Sequence, residues 1–108
     1  EISYIVKLIL ENEGFGVEIF SNEQNITERM KNQLPNLFLL DIMVPDGNGL
    51  ALCQEIKTAP ETKHIPVVIM SAHMSPEKMA PEVQTDGFIA KPFELNEVTD
   101  CIKNLLNP

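Results

Sequence analysis

The chain has 108 residues, 44% of them hydrophobic, which fits a single domain built around one core. Sixteen acidic residues against eight basic ones give a formal net charge of −8, which argues against direct binding to nucleic acid or to anionic lipid. No apolar run approaches the ~20 residues of a membrane span, and no signal peptide opens the sequence. We therefore expect a cytoplasmic domain that contacts neither membrane nor nucleic acid directly.

The first third of the chain predicts two helices around a short strand. Residues 2–12 carry an apolar stripe at helical spacing and stop before Gly14. Residues 17–20 have the composition of a short strand, and residues 26–33 predict a second helix that Pro35 ends. The stripe of the first helix consists of Ile2, Ile5, Val6 and Ile9.

The rest of the chain alternates almost wholly apolar runs with amphipathic stretches. Strands are predicted over residues 37–40, 67–70 and 88–90, and helices over residues 50–58 and 95–106. This alternation indicates an α/β fold in which a parallel sheet is covered by helices on both faces. The side chains predicted to point inward from the two helices are Leu50, Cys53 and Ile56, and Leu95, Val98, Ile102 and Leu105.

Each of the three apolar runs is followed by a polar residue, namely Asp41, Ser71 and Lys91. Right-handed crossovers bring the carboxyl ends of parallel strands to one edge of the sheet, where open α/β sheets bind ligands. Taken singly, such residues are most often a helix cap, a loop hydroxyl and a solvated lysine. Because all three follow successive strands, we interpret them as one functional site.

The motifs around these residues carry a family resemblance. DIMVPDGNG at 41–49, IMSA at 69–72 and GFIAKPF at 87–93 resemble, in this order and spacing, the receiver domain of two-component response regulators. The resemblance implies that residues 1–108 form one doubly wound, flavodoxin-like (βα)5 domain with a parallel sheet of order 2-1-3-4-5. The first, central strand of that fold has no counterpart here and is expected upstream of Glu1.

By this resemblance Asp41 is the phosphoacceptor, and a histidine kinase or a histidine phosphotransfer protein is its partner. Lys91 would bind a phosphoryl oxygen and Ser71 would donate a hydrogen bond to another. Mg²⁺ would be held by Asp41 and by the backbone carbonyl of Met43. The family also uses two acidic residues, expected here upstream of Glu1, so Mg²⁺ binding by residues 1–108 is expected to be weak.

The resemblance assigns further residues around the phosphate. Pro45 and Gly49 would shape the loop over it, Ala72 would leave room for the incoming group, and the Lys91–Pro92 bond would be cis. Phe88 matches an aromatic residue that turns inward on phosphorylation, with Ser71 as the other switch residue. An ordinary core aromatic is the alternative for Phe88.

The segment over residues 75–86 predicts a short or broken helix, because Pro76 and Pro81 interrupt it. Residues 73–87, which include this segment, are fewer than the family usually has at this place, on a surface that receivers commonly use for partners or dimers. Homodimerisation is therefore left open. The family's helix placement puts Cys53 and Cys101 against opposite faces of the sheet, which predicts two reduced thiols and no disulfide.

The sequence leaves three functions open. The first is a phosphorylation switch that is not an enzyme on other substrates, since its only chemistry is phosphoryl uptake on Asp41 and slow hydrolysis. The second is a pseudo-receiver that takes no phosphate and acts as an interaction scaffold. The third is an aspartate-nucleophile phosphatase, which usually has a second acid two residues after the nucleophile, where this chain has Met43.

Overall fold

A computed structural model describes residues 2–20, 23–42, 48–72 and 85–106 of the chain. Helices and strands alternate along these residues with two exceptions, since two helices precede the first strand and no described helix lies between the second and third strands. The elements are α1 Ile2–Asn12, α2 Glu23–Met30, β1 Phe38–Ile42, α3 Asn48–Thr58, β2 Val67–Ser71, β3 Gly87–Ala90 and α4 Leu95–Leu106.

The sheet is parallel and has the order β1-β2-β3 within the described residues. Leu40 lies opposite Ile69 in the β1–β2 ladder, and Ile69 lies opposite Phe88 in the β2–β3 ladder. All five residues of β2 are buried, as expected for a central strand covered on both faces. The predicted α/β fold is confirmed, and these three strands correspond to the 3-4-5 part of the expected order.

Alternation along the strands divides the core into two clusters of buried side chains. The α3-side cluster consists of Phe38, Leu40, Cys53, Ile56, Ile65, Val67 and Ile69. The α4-side cluster consists of Val6, Leu10, Val68, Met70, Ile89, Val98 and Ile102. Cys53 belongs to the first cluster and Cys101 packs against the second, so the two thiols lie on opposite faces of the sheet, as predicted.

Helix α1 has the predicted limits, and its end shows why. Gly14 adopts a φ of +99°, and the amides of Gly14 and Phe15 donate to the carbonyls of Glu11 and Leu10 at 3.0 and 3.1 Å. This is the Schellman arrangement, in which a left-handed glycine closes a helix. The predicted stripe was partly wrong, because Ile5 is 46% exposed and Leu10 is buried in its place.

The strand predicted over residues 17–20 is wrong, since these residues are neither helix nor strand. Strand backbone needs a neighbouring strand to satisfy its amides and carbonyls, and neither edge of the sheet, β1 or β3, pairs with this segment. Helix α2 ends at Met30 and not at Gln33. The amides of Lys31 and Asn32 there bond to carbonyls three residues back, which tightens the last turn.

The later helices follow the prediction with small differences. Helix α3 begins at Asn48, two residues early, and buries Cys53 and Ile56. Helix α4 has the predicted limits and buries Val98 and Ile102, but Leu95 is 47% exposed, contrary to prediction. The side chains of Ile2 and Leu50, and most of the predicted helix over 75–86, lie outside the described part. No described helix has the length and apolarity needed to cross a membrane.

Candidate functional site

The carboxyl edge of the sheet brings together two of the predicted site residues in direct contact. Asp41 is the fourth residue of β1, and Lys91 follows the last residue of β3. The Lys91 Nζ donates to Asp41 Oδ1 at 2.5 Å, although the two residues are 50 positions apart in the chain. Their side chains are only 16% and 27% exposed, so water screens this ion pair less than it would on an open surface.

Ser71 lies between these two residues, at the end of the central strand. Register places it opposite Ile42 on one side and Ala90 on the other, next to both charged residues. Its side chain is buried, with 1% of the residue exposed. The Lys91 amide donates to the Ser71 carbonyl at 3.0 Å, which extends the β2–β3 ladder by one residue to the base of the lysine side chain.

The chain turns sharply after Lys91 and enters α4. The Lys91–Pro92 bond is cis, as predicted. The Glu94 amide then donates to Glu97 Oε1 at 2.7 Å, so a carboxylate satisfies one of the free amides at the start of the helix. The Glu94 and Glu97 spacing of three residues was a signal for this cap that the sequence interpretation did not use.

The other predicted residues are placed as follows. Phe88 is half-buried and packs against the α3-side cluster, so both interpretations of this residue stay predictions. Ala72 is exposed directly after Ser71. Gly49 is the second residue of α3 and not part of a loop, because the helix starts earlier than predicted. Met43 and Pro45 lie outside the described residues, as does any acidic pair upstream of Glu1.

The residues described here do not by themselves make a magnesium site. Mg²⁺ requires near-octahedral coordination by oxygen ligands. Asp41 supplies a carboxylate, but the described part of the chain contains no group of three or more His, Cys, Asp or Glu side chains that could hold a metal.

Comparison with known proteins agrees with this geometry. A family model for the response regulator receiver domain matches residues 1–103. The chain belongs to this family. The phosphate regulon transcriptional regulatory protein PhoB of Rhizobium meliloti is 29% identical over 107 residues, which cover 97% of this chain and 47% of PhoB. The chain thus spans about half the length of such relatives.

Solved receiver structures have the same fold. A response regulator from Thermotoga maritima superposes with a TM-score of 0.83 at 22% identity, covering 100% of this chain and 91% of that one. The signal receiver domain of a signal transduction histidine kinase from Syntrophus aciditrophicus gives a TM-score of 0.80 at 27% identity, covering 96% and 80%. Receiver domains like this one therefore occur in proteins of different architecture.

Proposed function

We propose that this receiver accepts a phosphoryl group on Asp41 from a phosphohistidine of a histidine kinase or a histidine phosphotransfer protein. The observation that carries the proposal is the ion pair between Lys91 Nζ and Asp41 Oδ1 at the carboxyl edge of the sheet, beside buried Ser71. We expect the Asp41 carboxylate to act as the nucleophile. We expect the Lys91 ammonium, which is bonded to it, to stabilise the negative charge of the incoming phosphoryl group.

The transfer needs few chemical groups. Because Lys91 holds Oδ1, we expect the other oxygen, Oδ2, to attack phosphorus while the bond between phosphorus and the donor imidazole nitrogen breaks. The electron pair of that bond returns to the imidazole, and the product is an aspartyl phosphate. Phosphoryl transfer depends mainly on positioning and charge stabilisation, which Lys91 supplies through its ammonium group. Mg²⁺ would add charge stabilisation, with Asp41 and the Met43 carbonyl among its expected ligands.

Phosphorylation would also be the switch. It adds roughly two negative charges next to Lys91 and Ser71, and the existing bond between Lys91 and Asp41 must be exchanged for bonds to phosphoryl oxygens. We expect the Ser71 hydroxyl to follow the phosphoryl group and Phe88 to adjust behind it, which would repack the surface of β3 and α4 for an output partner. Hydrolysis of the aspartyl phosphate resets the domain.

The test is intact-mass spectrometry after incubation with acetyl phosphate and Mg²⁺. We expect one phosphoryl adduct on the unaltered chain, no adduct on Asp41→Asn, and a strongly reduced rate for Lys91→Met, which keeps the length of the side chain but loses its charge. Asp100→Asn is the matched control, because Asp100 is exposed on α4 and should be dispensable.

An adduct on Asp41→Asn at the unaltered rate would refute the proposal. If a chain extended upstream with two acidic residues gains the adduct and the 108-residue chain does not, the acidic pair predicted upstream of Glu1 is required. If neither gains it although both are folded, the scaffold function replaces the proposed one.

A further inference from the structure

The opposite, amino edge of the sheet carries a second set of polar contacts. Lys57, in the last turn of α3, donates through Nζ to Asp86 Oδ2 at 2.9 Å and to the Ile65 carbonyl at 3.1 Å. Thr85 Oγ1 donates to the carbonyls of Val67 and of Gly87 at 2.9 and 2.7 Å. We call Lys57, Thr85 and Asp86 the amino-edge cluster.

Strand β3 has little in its own sequence to set its register. Of the residues Gly87–Ala90 only Ile89 is buried, and Gly87 has no side chain to pack. Within the described residues β3 pairs with β2 alone. Register is weakly specified in strands whose faces are not strongly different, and a slip of one residue moves every following residue by roughly 3.3 Å. Hydrogen bonds from residues outside the strand can therefore contribute to its register, beside the packing of Phe88 and Ile89.

Asp86 fixes the register of β3 through hydrogen bonds of both its backbone and its side chain. Its amide donates to the Val67 carbonyl at 2.8 Å, and its Oδ2 accepts from the Val67 amide at 2.9 Å. Val67 thus has both backbone groups bonded to one residue, which defines where β3 starts against β2. Lys57 bonds to the same Oδ2 atom, and because its side chain is only 12% exposed, it keeps the carboxylate in this orientation.

Strand β3 links Asp86 at its amino end to Lys91 at the proposed phosphorylation site. Asp86 and Lys91 are five residues apart, which is roughly 16 Å of extended chain. At the far end, the Lys91 amide bonds to Ser71 and its Nζ bonds to Asp41. We propose that Asp86 and Lys57 are positioning residues that fix the register of β3 and thereby place the Lys91 ammonium on Asp41. Their effect on phosphorylation rests on the function proposed above.

Two variants and one control test this inference. Asp86→Ala removes the side-chain bonds to Val67 and Lys57. Lys57→Met removes the bonds of Lys57 to Asp86 and to the Ile65 carbonyl, while it keeps an apolar stem and leaves the bonds between Asp86 and Val67 in place. Lys103→Met is the control, because it also removes a lysine ion pair, in this case the one between Lys103 on α4 and Glu13, the residue that follows α1. If Asp86→Ala does not fold, Lys57→Met carries the test.

The first readout is hydrogen exchange of the Lys91 amide, which needs no phosphoryl donor. We expect exchange at Lys91 to become at least about tenfold faster in both variants, relative to the amides of the β1–β2 ladder. The control should change both sets of amides equally or neither. A variant in which Lys91 loses no more protection than the β1–β2 ladder has lost only general stability, and that result would overturn the inference.

The second readout is the rate of adduct formation at saturating acetyl phosphate, corrected for the folded fraction. We expect a fall of about tenfold or more in Lys57→Met and less than about twofold in Lys103→Met, because small displacements of a catalytic group cost large factors in rate. An unchanged rate in folded Lys57→Met would overturn the catalytic part of the inference. If neither the unaltered chain nor the chain extended upstream takes a phosphoryl group, the proposed function fails, and the exchange measurement still decides the positioning claim.

Discussion

Gly87, the first residue of β3, lies beneath the thiol of Cys101 in α4. A methyl group built on Gly87 would lie 2.9 Å from Cys101 Sγ and 3.3 Å from Val68 Cγ2. Carbon and sulfur atoms do not approach this closely, so either the helix or the thiol must move. The φ of Gly87 is not in the left-handed region, so alanine meets no backbone strain there and the effect is steric.

We expect Gly87→Ala to lower the free energy of unfolding by about 1–2 kcal/mol. Overpacking a core typically costs about 1–3 kcal/mol. Replacing glycine also reduces the freedom of the unfolded chain, which returns about 0.4–1 kcal/mol. For a domain of this size each kcal/mol lost lowers Tm by about 4–8 °C. Urea unfolding followed by circular dichroism measures the change.

The matched control is Gly16→Ala, because no atom of the described residues, apart from Gly16 and its two chain neighbours, lies within 4 Å of a methyl group placed there. We expect this variant to be at least as stable as the unaltered chain and more stable by up to about 1 kcal/mol, because the reduced freedom of the unfolded chain is not offset by a steric clash. The double variant Gly87→Ala with Cys101→Ala removes the closest contact, so the two changes should couple by at least about 0.5 kcal/mol. Additive effects, or a Gly87→Ala variant as stable as the control, would refute the packing described for β3 and α4.

Three further predictions concern charge, thiols and the core. Arg29 lowers the pKa of the Glu18 carboxyl by hydrogen bonding. This bond stabilises the folded chain at pH values above the pKa that Glu18 has in the unfolded chain, and the stabilisation is lost as the pH falls through the pKa that Glu18 has in the folded chain. In Arg29→Met, an NMR titration should therefore show the Glu18 pKa raised towards its ordinary value. Burial removes the thiols of Cys53 and Cys101 from water, and this desolvation raises the pKa of both. A thiol reagent at neutral pH should label half-exposed Cys101 slowly and fully buried Cys53 only on unfolding; equal rates would contradict the placement of Cys53. Ile69→Ala, at a fully buried position in β2, should cost about 2–5 kcal/mol in urea unfolding, and a cost below 1 kcal/mol would be inconsistent with its burial.

Helix α4 shows what periodicity predicts well. Its limits agree with the residues 95–106 that the apolar repeat predicted, and the Glu94–Glu97 cap lies at the same start. The same repeat placed Leu95 in the core, where it is not. Periodicity gives the direction of the buried face, but the neighbouring elements decide how far along the helix that face is covered.

The site was predicted from a rule of topology rather than from local patterns. Polar residues after three successive apolar runs implied a common edge, and Asp41 and Lys91 do meet there. The contact between Lys57 and Asp86 had no comparable signal, because a helix end and a strand start 29 residues apart are brought together only by the tertiary fold. The strand predicted over residues 17–20 was wrong because a segment with strand composition forms a strand only where a partner strand is available.

Chemical trapping identifies the residue that carries the phosphoryl group, which we propose to be Asp41. Borohydride reduces an aspartyl phosphate to homoserine, so peptide mapping of the chain treated with acetyl phosphate and then borohydride identifies the modified residue. We expect homoserine at position 41 and an unmodified side chain at every other Asp and Glu position, Asp86 and Asp100 included. Homoserine at another position, with Asp41 unmodified, would contradict it.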